Sequence, residues 1–284
     1  MFPSRILANL KAVMLRAGLA AMTGLGAISV ANAAEPQPWQ IGLQPAAGSI
    51  AEKAADLHNL LLVIITAISV FVLVLLIYTC VRFREEKNPN PSKTTHNTII
   101  EVLWTVIPVI ILVVIAVPSF KLLYYMDRSD ETDMVIKVTG AQWYWTYEYP
   151  KEEIAFDSYM IADEDLQQGQ KRLLEVDNPL VVPEGTRIKL LVQANDVMHS
   201  FFMPALAVQI YTVAGRTNEA WIDVPKGEKT YYGQCNQICG INHSYMPIVI
   251  KAVSAEDYKL WVNDAREEFA TVERPAAVQL AQAQ

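Results

Sequence analysis

Gly233-Gln-Cys-Asn-Gln-Ile-Cys-Gly-Ile-Asn-His-Ser-Tyr-Met-Pro247 decides how this chain is read. It holds Cys235, Cys239, His243 and Met246 within twelve residues. Upstream, Asp196-Val-Met-His199 ends an apolar stretch and adds a second imidazole. The chain has four histidines and three cysteines; His58, His96 and Cys80 lie in or beside long apolar runs, so the remaining His and Cys all fall in these two stretches. Three chemistries fit them. Two His, one Cys and a weak Met make a blue copper site, with one Cys left over. Cys₂His₂ makes a structural zinc site and leaves Met246 unexplained. A Cys235–Cys239 disulfide suits an oxidising compartment. Soft sulfur with imidazole favours copper, and two Cys, two His and one Met suffice for two copper ions bridged by both sulfurs.

Cys-x-x-x-Cys-x-x-x-His-x-x-Met with an upstream Asp-Val-x-His resembles the dinuclear copper (CuA) site of subunit II of aa3-type bacterial cytochrome c oxidases. The resemblance implies that Cys235 and Cys239 bridge both coppers, that His199 and Met246 complete one, and that His243 and the Gln237 backbone carbonyl complete the other. The family usually has Glu at Gln237, where the side chain binds a Mg²⁺ at the boundary with subunit I. A neutral amide is a weaker ligand for a hard cation, so reduced Mg²⁺ occupancy is expected. Gln209, Tyr211 and Ala214 also depart from the family's Lys, Asp and Pro before Gly215-Arg216.

Outward from the motif, the chain reads as membrane-anchored. It is 52% hydrophobic and only 19% charged, against about 25% charged for ordinary soluble domains. Residues 1–34 read as a secretory signal: Arg5, Lys11 and Arg16, a small-residue apolar core, then Ala31-Asn-Ala33 as a cleavage site. Leu60–Val81 is 22 residues of almost unbroken apolar sequence, about 33 Å as a helix and enough for a bilayer core of about 30 Å. A second run covers 102–125, with Pro108 and Pro118 inside it. Arg82, Arg84, Lys87 and Lys93 mark the connection as cytoplasmic. Both flanks then face the periplasm, as the leader independently requires. Expected domains are therefore the signal (1–34), a periplasmic segment with spans near 60–82 and 102–125 (35–126), a periplasmic domain (127–270) and a tail (271–284).

Between Asp127 and Glu268 stand 23 acids and 13 bases, a net charge of −10. A nucleic-acid binder is excluded, because phosphates need a basic face. Short strand patterns with turns between them (134–149, 187–194, 229–234, 245–253) indicate a Greek-key β-sandwich. Ser254 then caps a closing helix to Phe269. The expected class is an α+β membrane protein: a transmembrane helix hairpin, an all-β sandwich and a C-terminal helix. The resemblance implies that the sandwich is cupredoxin-like.

Three further segments carry expectations. Alternation puts Trp143, Trp145, Tyr147 and Tyr149 on one strand face. Pattern alone makes that a packed aromatic face; the family instead uses Trp143 as the electron entry from cytochrome c. Glu148, Glu152, Glu153 and Asp157 follow it, and Asp196 precedes His199; beside an entry Trp such acids steer a basic partner. Glu101, in Glu-x-x-Trp-Thr, is by position a helix cap; the resemblance makes it the mouth of a proton pathway of subunit I. The family role is electron transfer from cytochrome c to haem a of subunit I, with subunit III as a further partner and oxygen reduced in subunit I. The competing reading is a membrane-tethered copper carrier without an electron partner.

Overall fold

The computed structural model describes residues 33–127, 131–227 and 229–269. The expected leader up to Asn32 and the tail beyond 270 lie outside them. The last two residues assigned to the leader, Ala33–Ala34, form a short strand β1 that pairs in parallel with Thr230 and Tyr231.

Two helices precede the sandwich: α1 (Ser49–Arg82) and α2 (Thr98–Met126). Both are long and apolar enough to cross a membrane, and the most apolar stretch of each has none of its residues buried. A helix apolar on every face belongs in lipid. They run antiparallel, with Ser49 Oγ 2.6 Å from Tyr125 Oη. α1 begins at Ser49 rather than Leu60, because its first turns are fixed from outside: the Ser49 N–H donates to Asp223 Oδ2 at 2.7 Å. A carboxylate at a helix N-terminus satisfies an orphan donor and complements the dipole. Asn97 caps α2, its Oδ1 accepting from the Ile99 and Ile100 N–H groups.

The strands after α2 are β2 (Met134–Ala141), β3 (Tyr144–Tyr149), β4 (Ile154–Ser158), β5 (Leu180–Pro183), β6 (Arg187–Ala194), β7 (His199–Met203), β8 (Val208–Thr212), β9 (Asn218–Asp223), β10 (Lys229–Cys235) and β11 (Pro247–Val253). They make two sheets, β4-β3-β2-β6-β9 and β5-β11-β10-β7-β8, with β1 on β10. The chain passes between sheets after β4, β5, β6, β8 and β9, which gives the expected sandwich. β2–β6 and β5–β11 pair in parallel, so both sheets are mixed.

Alternation fills the space between the sheets. Trp145, Tyr147 and Tyr149 of β3 and Ile188, Leu190 and Val192 of β6 face Phe201, Met203, Ile248 and Ile250 of the other sheet, all fully buried. Replacing any of the aromatics with Ala would cost about 3–5 kcal/mol. α3 (Ala255–Phe269) closes one side of the sandwich, with Trp261 packed 5.1 Å from the Tyr149 ring. Ser254 caps it as expected, accepting from the Asp257 N–H.

One strand expectation is corrected. Trp143 does not continue the buried face of β3. Ala141 pairs with Tyr144, so Gln142 and Trp143 are the two residues of the β2–β3 turn. The turn carries no Gly or Pro signal. Gly140, which resembles one, lies inside β2 opposite Trp145.

Candidate metal centre

β10 and β11 stay paired as far as Gln234 and Pro247. Residues 235–246 therefore form a hairpin loop, closed by the Cys235 N–H donating to the Met246 carbonyl at 3.0 Å. β10 also pairs with β7, Cys235 opposite Phe201. That register brings the loop to His199, the first residue of β7. Its N–H donates to Thr212 Oγ1, and its ring is fully buried. β2 crosses directly over this ring. A Cβ on Gly140 would stand 2.9 Å from His199 Cδ2, so only glycine permits the approach.

Asp196 Oδ1 lies 2.9 Å from His199 Nε2. A carboxylate at that distance accepts, so Nε2 carries the proton and Nδ1 keeps its lone pair. Nδ1 is buried without a hydrogen-bond partner, an arrangement that costs about 1–3 kcal/mol unless something binds it. An imidazole nitrogen of His199 and the sulfurs of Cys235 and Cys239 lie within 4.8 Å of one another. The sulfurs are 3.9 Å apart and are not joined in a disulfide. His243 Nδ1 is 3.6 Å from Cys239 Sγ, and the Gln237 carbonyl oxygen is 3.4 Å from Cys235 Sγ. Met246 is buried at the neck of the loop. Sulfur, imidazole and a backbone oxygen thus converge at one end of the sandwich, a donor set that could hold copper.

The electrostatics suit a cation. Burial works to raise the Cys235 thiol pKa, but contacts with His199, the Ser200 and Gln237 backbone and His243 outweigh it and hold the group low. Burial and then the Cys235 charge push Cys239 up. Burial likewise works to lower the His199 pKa, and Cys235 and Asp196 raise it past its ordinary value. Two sulfurs this close cannot both ionise without a positive charge between them.

The aromatic turn sits on the cysteine loop. The Gln142 N–H donates to Asp196 Oδ2 at 2.7 Å, and Gln142 Nε2 donates to the Cys239 carbonyl at 2.8 Å. One residue thus ties Trp143 to both ligand-bearing segments. Gly240, at φ +126°, leaves the space that the indole fills; a Cβ there would meet Trp143 Cζ2 at 2.9 Å. Sequence reading singled out neither Gln142 nor Gly240, whose roles depend on contacts across 97 residues of chain.

The acids are spread out. Asp196 belongs to the centre itself. Asp157, on β4 beside Thr146, accepts from Thr146 Oγ1 at 2.6 Å. Glu148 pairs with Lys137 at 3.7 Å. Glu152 and Glu153 lie in the β3–β4 turn, at the far end of a six-residue strand from Trp143, about 20 Å away. Glu101 lies in the first turn of α2 and accepts from the Asn97 N–H at 3.3 Å. Two apolar side chains of the loop, Ile238 and Ile241, are 81% and 86% exposed.

Residues 134–253 match the family described as cytochrome c oxidase subunit II, periplasmic domain, and residues 36–122 match its transmembrane domain. The chain is 52% identical over 231 residues to the probable cytochrome c oxidase subunit 2 of Rickettsia bellii, covering 81% of this chain and 86% of the relative. It is 48% identical over 244 residues to cytochrome c oxidase subunit 2 of Oenothera berteroana, covering 84% and 93%. Among solved structures, the periplasmic domain of subunit II of cytochrome oxidase (CoxB) of Bradyrhizobium japonicum is 41% identical, covering 50% of this chain and 99% of that one, with a TM-score of 0.47. The transmembrane match falls on α1 and α2 as membrane spans, and the sandwich is the periplasmic domain. On these matches, which take in both the spans and the sandwich, the chain belongs to the cytochrome c oxidase subunit II family.

Proposed function

We propose that this chain is the electron-entry subunit of a cytochrome c oxidase and holds two copper ions between β7 and the β10–β11 loop. The observation that carries this reading is the convergence of Cys235, Cys239 and His199 around a buried imidazole nitrogen without a partner. Both cysteines would bridge the ions. His199 and Met246 would complete one, and His243 with the Gln237 carbonyl the other. Zinc in a closed Cys₂His₂ site would leave Met246 without a role. Bound there, the copper pair supplies a one-electron couple between cytochrome c and haem a of subunit I.

The chain's own residues set the geometry. Asp196 orients the His199 ring, and Gln142 keeps the Trp143 turn on the loop. Trp143 is the entry point in this reading. Asp157 and Asp196 supply negative charge for a basic donor. Glu148, Glu152 and Glu153 contribute to the wider field at most, because Glu148 is paired with Lys137 and the other two lie about 20 Å from Trp143, well beyond a Debye length of about 8 Å. A copper carrier needs open, exchangeable ligands, and here His199 is 0% exposed and the two cysteines 5% and 3%.

The test is rapid mixing of the isolated complex with reduced cytochrome c. Copper absorbance should bleach before haem a is reduced, and copper-depleted complex should leave haem a oxidised. Equal haem reduction with and without copper would overturn the proposal.

Two further outcomes follow. Glu101→Ala should lower steady-state turnover severalfold, leave the copper spectrum unchanged and cost about 0.5–1 kcal/mol of α2 stability through the lost bond to the Asn97 N–H; full turnover would leave only that helix-end role. Gln237→Glu should retain Mn²⁺, substituted for Mg²⁺ in the whole complex, more tightly than the unaltered chain, with copper unaffected because the ligand atom there is backbone. Equal retention, read by EPR, would mean that subunit I supplies enough ligands alone.

A further inference from the structure

Between α1 and α2, at the periplasmic edge of the membrane, lies a cavity of ≈ 510 Å³. Its apolar lining is Leu57, Leu60, Pro118 and Leu122. Its charged lining is Lys53, Asp56 and Lys121. Lys53 stands about two helical turns outside the apolar run that begins at Leu60, and Lys121 about one turn inside the outer end of the second run. The two ammonium groups therefore sit at the level of the outer headgroups, since long lysine stems snorkel toward water.

These lysines are out of place for topology alone. The positive-inside pattern accounts for Arg82, Arg84, Lys87 and Lys93 on the other side. Within α1 and α2 the only remaining bases are Lys53 and Lys121, and both line this cavity. Among the described residues neither forms an ion pair. The cavity wall is also built rather than accidental. Lys53 Nζ lies 4.8 Å over the Tyr125 ring. Tyr125 is fixed by Ser49 at 2.6 Å and packs edge-on to Trp221 at 5.4 Å. That clamp joins both helices to β9 of the sandwich.

We propose that this cavity binds one anionic phospholipid of the outer leaflet, its phosphate between Lys53 and Lys121 and an acyl chain along Leu60, Pro118 and Leu122. Two cations against one carboxylate leave a net positive mouth, and ammonium groups form short, charge-assisted bonds to phosphate oxygens. A lipid satisfies the charged and the apolar lining at once, whereas free phosphate would leave the apolar lining wet. Each lysine near a membrane surface is worth about a fivefold preference for anionic lipid. Asp56 opposes it, so the acid tunes the selectivity downward.

The experiment uses the whole oxidase complex in nanodiscs of phosphatidylcholine doped with phosphatidylglycerol, with bound lipid read by native mass spectrometry. The unaltered complex should retain one phosphatidylglycerol that the Lys53→Gln/Lys121→Gln variant holds about 25-fold less often, and Asp56→Asn should raise retention. Glycerol 3-phosphate in excess should not displace it. Copper absorbance, measured alongside, should be the same in all variants and shows that the fold is intact. Equal retention in the double variant, displacement by glycerol 3-phosphate, or density for a protein helix in the cavity would each overturn the proposal.

Discussion

Cys239→Ser should leave the oxidase complex without its purple copper absorption and without a mixed-valence EPR signal. The sulfur lies 3.9 Å from Cys235 Sγ and 3.6 Å from His243 Nδ1, so it reaches both the other sulfur and the second imidazole of the centre. A hydroxyl cannot replace it, because copper at such a site prefers thiolate and a serine stays protonated at neutral pH. The fold should survive. The exchange is nearly isosteric, and the cost of a buried hydroxyl is about 1–3 kcal/mol. Metal analysis should give one copper or none per chain, with circular dichroism unchanged. Two coppers and an intact signal in this variant would show that the cysteines do not bridge.

Trp143→Phe is expected to have the second-largest effect. The indole fills the space left by Gly240 against the cysteine loop, on a turn pinned to Asp196 and Cys239 by Gln142. Phenylalanine keeps an aromatic group there but shortens its reach. Electron entry from reduced cytochrome c should slow at least about tenfold, ~1.4 kcal/mol of barrier. Copper absorbance and the onward reduction of haem a should not change. The salt dependence of docking should also stay the same, because no charge is removed. Asp157→Asn should do the reverse, weakening docking and flattening its salt dependence with little effect at saturating donor. A Trp143→Phe complex reduced at the unaltered rate would move the entry point elsewhere.

Much of this molecule is written locally. The loop from Cys235 to Met246 announces its chemistry because four of the five candidate side chains lie in one hairpin, His199 alone standing on β7. β6 runs from Arg187 to Ala194 as its alternation requires, and Ser254 caps α3 through the Asp257 N–H. What escaped reading depends on contacts between distant segments. The turn at Gln142-Trp143 has no turn residues, since it is held by the cysteine loop and Asp196 rather than by its own backbone preference. Gly140 looks like a turn signal, yet its missing side chain makes room for His199. α1 extends to Ser49 because Asp223, 174 residues further on, accepts its first N–H. The acids that cluster in sequence after Trp143 separate in space, because β3 carries Glu152 and Glu153 away from it.

Copper stoichiometry bears most directly on the dinuclear centre. The complex should be isolated without chelator, its copper counted against its haem, and its EPR spectrum recorded in the oxidised state. Two coppers per chain beyond the count of a Cys235→Ser/Cys239→Ser complex, sharing one unpaired electron, are expected. One copper per chain with an ordinary single-ion spectrum, or zinc in its place, would contradict the dinuclear centre and with it the electron-entry role.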